Sequence, residues 1–192
     1  MNYNLKAPYI NFNSTVDVKG KIAALVFLQE CNLKCPYCYN KPLQQINPHL
    51  ENFSISKIEK LITSNKGLHS IVLFSGGEPT LNDDLLKFIR RFKYKSKINP
   101  IGLQTNGTTD NLTEIIQEKL VEYIHLDYKA DCLLNNQQKE IRHKNISLLL
   151  QSEIEFIFSV TAINQEEANF LIKQLHGELN DNNIEVKTQI IK

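Results

Sequence analysis

Ile22-Ala23-Ala24-Leu25-Val26-Phe27-Leu28, then Gln29-Glu30, then Cys31-Asn32-Leu33-Lys34-Cys35-Pro36-Tyr37-Cys38-Tyr39-Asn40, is the stretch whose reading decides the fold. The first run is short and apolar throughout, the pattern of a strand covered on both faces in a parallel sheet. Three thiols therefore sit just past the C-terminal end of a strand. In parallel α/β sheets and barrels the loops leaving that end converge on one open face and carry the chemistry.

Thiolates are soft ligands suited to iron-sulfur clusters, zinc or copper(I), and a loop this short can wrap one metal centre with all three. Three protein ligands leave a coordination position open, as in catalytic zinc sites, whereas closed structural sites recruit four. The remaining cysteine, Cys132, lies far downstream, and no second closely spaced pair accompanies it. A zinc knuckle completed by Cys132, or unligated core cysteines, is the competing reading.

The chain has 192 residues, enough for one domain, 1–192, with a substantial core. Its 22 basic and 21 acidic side chains give a formal net charge of +1. That balance, without basic clusters, gives no support for a nucleic-acid partner. With 4 cysteines, three of them packed together, a disulfide framework is not indicated. No apolar run approaches the ~20 residues that span a bilayer, and residues 1–20 lack the apolar core of a signal peptide. A cytoplasmic protein in reducing surroundings is expected.

Working outward, residues 1–20 form an irregular N-terminal arm, with Ser14 to Gly20 leading into the first strand, and 31–40 is the candidate cluster-binding loop. A helix fits Ser56 to Ser64 through Ile58, Leu61 and Ile62. Ile71-Val72-Leu73-Phe74 is a second strand, ending in Ser75-Gly76-Gly77-Glu78-Pro79-Thr80. Asn82-Asp83-Asp84 caps a helix carrying Leu85, Phe88, Ile89 and Phe92. Ile98 to Leu103 is a weaker strand closed by Gln104-Thr105-Asn106-Gly107, and a helix runs from Leu112 to Leu120. Tyr123-Ile124-His125-Leu126 is the fourth strand, ending at Asp127-Tyr128-Lys129. Asn136 to Leu150 is helical with an uneven apolar face. Ile154 to Ala162 is the fifth strand, and Asn164 with Glu167 starts a helix expected to end near Gly177. The last strand, Ile184 to Ile190, alternates apolar and polar residues, so one face is wet and the sheet has an open edge. The predicted fold is α/β: a partial, open (β/α)6 TIM-like barrel with a mostly parallel sheet.

Several strand ends thus carry unusual residues to one rim. Gly76 and Gly77 permit backbone angles closed to other residues and a close approach to the main chain, while Glu78 adds an anionic acceptor. A ligand with an amino group suits this turn.

CxxxCxxC after the first strand and Gly-Gly-Glu-Pro after the second resemble the radical S-adenosylmethionine (radical SAM) superfamily. Ser14-Thr15-Val16-Asp17, the strand from Gly20 to Gln29 and the cysteine loop resemble the activating enzymes of anaerobic ribonucleotide reductases. Thr105-Asn106-Gly107 and Asp127-Tyr128-Lys129 match later strand-end motifs of that family. The resemblance implies that Cys31, Cys35 and Cys38 hold a [4Fe-4S] cluster whose open iron takes S-adenosylmethionine. It implies that Gly76, Gly77 and Glu78 hold the methionine amino group, Tyr37 and Tyr39 the adenine region, and Asp127 and Lys129 the ribose or methionine end, with Thr105 and Asn106 on the same rim. The implied reaction is transfer of a radical to a glycine of the anaerobic ribonucleotide reductase, with flavodoxin or ferredoxin as the low-potential electron donor. No acid-base residue is required, and His49, His69, His125, His143 and His176 are expected to be surface or packing residues.

The chain departs from that family at Tyr39 (usually His), Gln104 (usually Asp), Ile157 (Arg expected) and Lys19 (usually Pro). Another glycyl-radical enzyme or a small metabolite as target, a cofactor-binding homologue without turnover, and a non-catalytic zinc-binding interaction domain are the alternatives.

Overall fold

A period of two along the strands sorts side chains to opposite faces of one sheet, and the two faces differ. Ala24, Val26, Leu28, Val72 and Phe74 belong to the large core beneath the helices, whereas Ala23, Leu25, Ile71 and Leu73 form a small inner core with Val18 and Tyr123. The computed structural model describes residues 3–63, 69–93, 95, 98–181 and 184–190.

Among the described residues seven strands lie in sequence order: β1 (Tyr9–Ser14), β2 (Ala23–Leu28), β3 (Ile71–Gly76), β4 (Ile101–Thr105), β5 (Tyr123–Tyr128), β6 (Glu155–Ala162) and β7 (Val186–Ile190). β2 to β7 pair in parallel, and β1 pairs antiparallel with β2. Among the described residues five helices cross between the parallel strands: α1 (Ile55–Thr63), α2 (Asp83–Arg90), α3 (Asp110–Gln117), α4 (Asn136–Leu150) and α5 (Gln165–Leu179). Successive strands joined by helical crossovers wind in one direction, so the sheet curls around its inner face. Among the described residues β1 and β7 are unpaired edges, which makes the barrel open, as the sequence indicates.

Within the irregular arm expected over residues 1–20, Tyr9–Ser14 instead forms a strand, β1, added to the six parallel ones. Leu5 and Ala7 are buried in the outer core, and Gln29 N donates to Lys6 O at 2.8 Å. The segment after β1 then crosses toward the far strands: Lys21 Nζ meets Glu155 Oε2 at 2.8 Å, and Lys187 Nζ donates to Val16 O at 3.3 Å. This crossing joins the two sides at a gap that no strand fills among the described residues.

Boundaries shift for local reasons. The third parallel strand starts at Ile101 rather than Ile98, after Pro100, which cannot donate to a ladder. The helix expected through Leu120 stops at Gln117, and Lys119 turns left-handed at φ 51°. α1 begins at Ile55, and its expected last residue, 64, lies outside the described residues. Gly177 is inside α5, which ends instead at Asn180 in the left-handed region, φ 52°. α4 opens with a full capping box between Asn135 and Gln138. Its uneven apolar face is explained by two polar residues, Arg142 and Asn145, buried alongside Ile146 and Leu149. No helix of the described residues is long and apolar enough to cross a membrane.

Candidate active site

Toward the C-terminal ends of the strands the inward residues change from apolar to polar: Leu73 gives way to Ser75, Tyr123 to His125 and Asp127, Ile157 to Ser159 and Thr161. Above the inner core this leaves a cavity of about 410 Å³, whose wall includes all three cysteines of the 31–40 loop. Ile157 stays below, packed on the inner core, so its departure from the expected Arg leaves an apolar floor.

The cysteine loop begins under constraint. Glu30 adopts φ 83°, Glu30 N donates to Leu43 O at 2.7 Å, and Cys31 N donates to Gln44 O at 3.2 Å. Leu33 packs with Cys35 and Leu134. Asn32 fastens the loop to the end of β4, donating to Thr108 Oγ1 at 2.8 Å and accepting from Asn106 Nδ2 at 3.0 Å. Burial pushes the Cys31 thiol up to about 11 and raises that of Cys35, where Lys129 partly opposes the shift. A cationic centre is what would make such thiols ionise. Cys132 is exposed on the turn Asp131–Leu133 and takes no part in the cavity wall.

The two glycines after β3 are required by the protein's own main chain. A Cβ on Gly76, at φ 117°, would stand 2.2 Å from Leu28 O, and one on Gly77 would stand 2.1 Å from Glu30 O. The turn is stitched to the start of the cysteine loop by Gly77 N to Leu28 O at 2.9 Å and Glu78 N to Glu30 O at 2.7 Å. Asn40 Nδ2 reaches Gly76 O at 3.1 Å, while Tyr39 is exposed at the cavity mouth.

Glu78 is buried, with 1% of its surface exposed. Its Oε1 accepts from Thr80 N at 3.0 Å, from Thr80 Oγ1 and from Thr105 Oγ1 at 2.7 Å, and its Oε2 accepts from Asn106 N at 2.7 Å. Burial raises its pKa, and these donors pull against the shift. Glu78 therefore braces the end of β4 and holds Thr105 and Asn106 on the rim.

Asp127 and Lys129 form an ion pair at 2.5 Å, and Lys129 Nζ lies 6.0 Å from the ring centroid of Tyr37. Burial works against the Lys129 charge, but Asp127 holds its pKa above the ordinary value. Tyr37 Oη is buried without a hydrogen-bond partner among the described residues, and burial pushes that phenol up to about 12.

One wall residue escaped the sequence reading, and two that it quoted were given no role at the site. His125, expected at the surface or in packing, faces the cavity, as do Asp17 and Gln104. The signal was available: on a strand whose Asp127 and Lys129 face inward, residue 125 shares their face. Arg142 was missed as well. It is 1% exposed, donates to Lys129 O at 2.8 Å and pairs with Asp131 and Glu178 at 2.7 and 2.5 Å.

The donor set fits an iron-sulfur cluster with a bound cofactor. The three thiols share a cavity wall. Soft thiolates from one short loop suit a cluster, in which each takes its own iron. The unpartnered Tyr37 hydroxyl marks the space beside it as polar ligand space.

A family model described as the Radical SAM superfamily matches residues 25–133. A Methanocaldococcus jannaschii protein, provisionally named glycyl-radical enzyme activating enzyme MJ1227, is 32% identical over 145 residues, covering 71% of this chain and 58% of that protein. The GTP 3',8-cyclase of Thermodesulfovibrio yellowstonii is 31% identical over 99 residues, 50% of this chain and 30% of the cyclase. The chain thus spans less than two thirds of the length of either relative. The solved structure of native anSMEcpe with bound AdoMet superposes with a TM-score of 0.55 at 20% identity, over 84% of this chain and 49% of that one, a likeness of fold.

Proposed function

Because this chain belongs to the radical SAM superfamily, we propose that it carries a [4Fe-4S] cluster on Cys31, Cys35 and Cys38, binds S-adenosylmethionine on the open iron, and generates a glycyl radical on a partner enzyme. The proposed partner is an anaerobic ribonucleotide reductase, with flavodoxin or ferredoxin as electron donor. When bound, the cluster and cofactor supply one-electron cleavage of the sulfonium and a 5'-deoxyadenosyl radical.

The chain's own residues bind, orient and shield. The turn at Gly76, Gly77 and Glu78 receives the methionine end, with the Glu78 charge held beneath it by donors from β4. Lys129, ion-paired with Asp127, offers a cation to the carboxylate or ribose, and Tyr37 and Tyr39 offer aromatic faces and a free hydroxyl to the adenine. The inner core under the cavity excludes water from that side.

One observation carries the choice of substrate. Of the cavity's charged wall residues, Asp17, Glu78 and Asp127 are acidic, and Lys129, the one lysine or arginine of the wall among the described residues, is taken up by Asp127 and the cofactor in this reading. A triphosphate would meet a net negative wall with no further cation among the described residues, which weighs against the cyclase relative's substrate. A neutral polypeptide loop reaching the cavity over the rim of strand ends meets no such penalty.

Anaerobically reconstituted protein, reduced with dithionite, should hold about four irons and convert S-adenosylmethionine to 5'-deoxyadenosine and methionine. With a co-expressed anaerobic reductase it should give the glycyl-radical EPR doublet. Iron-free protein after reconstitution overturns the cofactor reading, and turnover of GTP without any doublet overturns the substrate reading.

A further inference from the structure

Behind the cofactor residues runs an unbroken hydrogen-bonded chain across four strands. Gln104 Nε2 donates to Asp17 Oδ1 at 2.9 Å, and Gln104 Oε1 accepts from Ser75 Oγ at 2.5 Å. Those two contacts fix which way the Gln104 amide points, because a carboxylate can only accept. Its second N–H then faces His125 Nδ1 at 3.3 Å, so Nδ1 is the bare acceptor and the ring proton sits on Nε2. Nε2–H donates to Ser159 Oγ at 2.8 Å, leaving the Ser159 hydroxyl proton for Asp127 Oδ1 at 3.2 Å. Thr161 Oγ1 donates to the same oxygen at 3.3 Å, and Asp127 Oδ2 holds Lys129. Every donor finds an acceptor in one direction from Gln104 to Asp127, and Lys129 donates to that carboxylate from the other side.

We propose that His125 is a positioning residue for the cofactor: locked by Gln104 as the Nε2–H tautomer, it orients Ser159 and hence the Asp127 carboxylate that aims Lys129. Gln104 acquires a role by the same logic. An aspartate at 104 would set a second carboxylate against Asp17 and could not fix the tautomer without carrying a proton itself. The charged groups acting on His125 are Asp127, Lys187, Asp17 and Lys129, and its burial favours the neutral ring the chain needs.

This assignment rests on the S-adenosylmethionine reading above, and the test separates the two. Reconstituted wild-type, His125→Leu, His125→Gln and Ser159→Ala proteins are titrated with S-adenosylmethionine, following the change in the EPR spectrum of the reduced cluster. Gln can place an amide N–H where Nε2–H stood. Losing a hydrogen bond that orients a charged group should weaken binding about tenfold in His125→Leu and Ser159→Ala, with iron content unchanged, while His125→Gln returns to within about threefold of wild type. Ser159→Ala removes one hydroxyl only, so it answers even where His125→Leu fails to fold. Wild-type affinity in Ser159→Ala, or a His125→Gln protein as weak as His125→Leu, overturns the assignment while leaving the cofactor reading intact. A wild-type protein that binds no S-adenosylmethionine overturns both.

Discussion

Replacing Glu78 by glutamine separates two roles for a residue at the centre of the site. Three donors converge on Oε1, namely Thr80 N, Thr80 Oγ1 and Thr105 Oγ1, while Asn106 N alone meets Oε2. A glutamine amide has one oxygen, and its best placement keeps that oxygen at the threefold position. Its NH2 then faces the Asn106 N–H. The change removes a charge-assisted bond, about 1.5–3 kcal/mol, and leaves a buried N–H without an acceptor, about 1–3 kcal/mol. Against this, the buried charge and its desolvation cost disappear, the same burial that raises the Glu78 pKa. A net loss of about 2 kcal/mol follows, and at about 2–4 °C per kcal/mol for a chain of this size, the melting temperature should fall by about 4–8 °C. The assay is thermal unfolding by circular dichroism on cofactor-free, anaerobic protein, paired with S-adenosylmethionine titration of reconstituted protein. A Glu78→Gln protein that melts with wild type yet loses the cofactor would refute the reasoning, because the carboxylate would then act on the ligand and not on the end of β4.

Further outcomes follow from other contacts. Arg142→Met strands Asp131 and Glu178 without their buried cation and frees Lys129 O, so urea unfolding should show a loss of about 3 kcal/mol; a loss under 1 kcal/mol would mean the cluster contributes no more than a surface pair. Gly76→Ala forces a Cβ to 2.2 Å from Leu28 O at a φ that alanine disfavours, and should cost more than about 3 kcal/mol or yield insoluble protein. An alanine variant melting within a few degrees of wild type, on the scale of about 2–4 °C per kcal/mol, would contradict the register of β2 on β3. Burial depresses the His125 pKa below its ordinary value of about 6.5. As pH falls through that value the unfolded chain takes up a proton that the folded one resists, so stability is retained above it and declines below it, by up to about 1.4 kcal/mol per pH unit for this group. His125→Gln should flatten that part of the stability profile measured by denaturant titration, and an unchanged slope would rule out a buried neutral ring.

Much of this protein is written locally. The apolar run to Leu28, the spacing of Cys31, Cys35 and Cys38, the Gly-Gly-Glu-Pro turn and the alternation of strands with helices each depend on neighbours a few residues away. Together they give an open, mostly parallel barrel and the rim that bears the site. The first strand was not legible, because Tyr9–Ser14 has no burial pattern of its own and becomes a strand by pairing with β2. Nor were the contacts across the barrel. Asp17 meets Gln104, His125 meets Ser159, and Arg142 holds Lys129 O because strand order and curl bring distant segments together. Residue type announces what a side chain can donate or accept, whereas its partner is chosen by which strands become neighbours. Hence the sequence alone determined the kind of chemistry, three sulfurs beside a glycine turn, while the tertiary structure decided that Glu78 faces β4 and that a histidine stands behind Asp127.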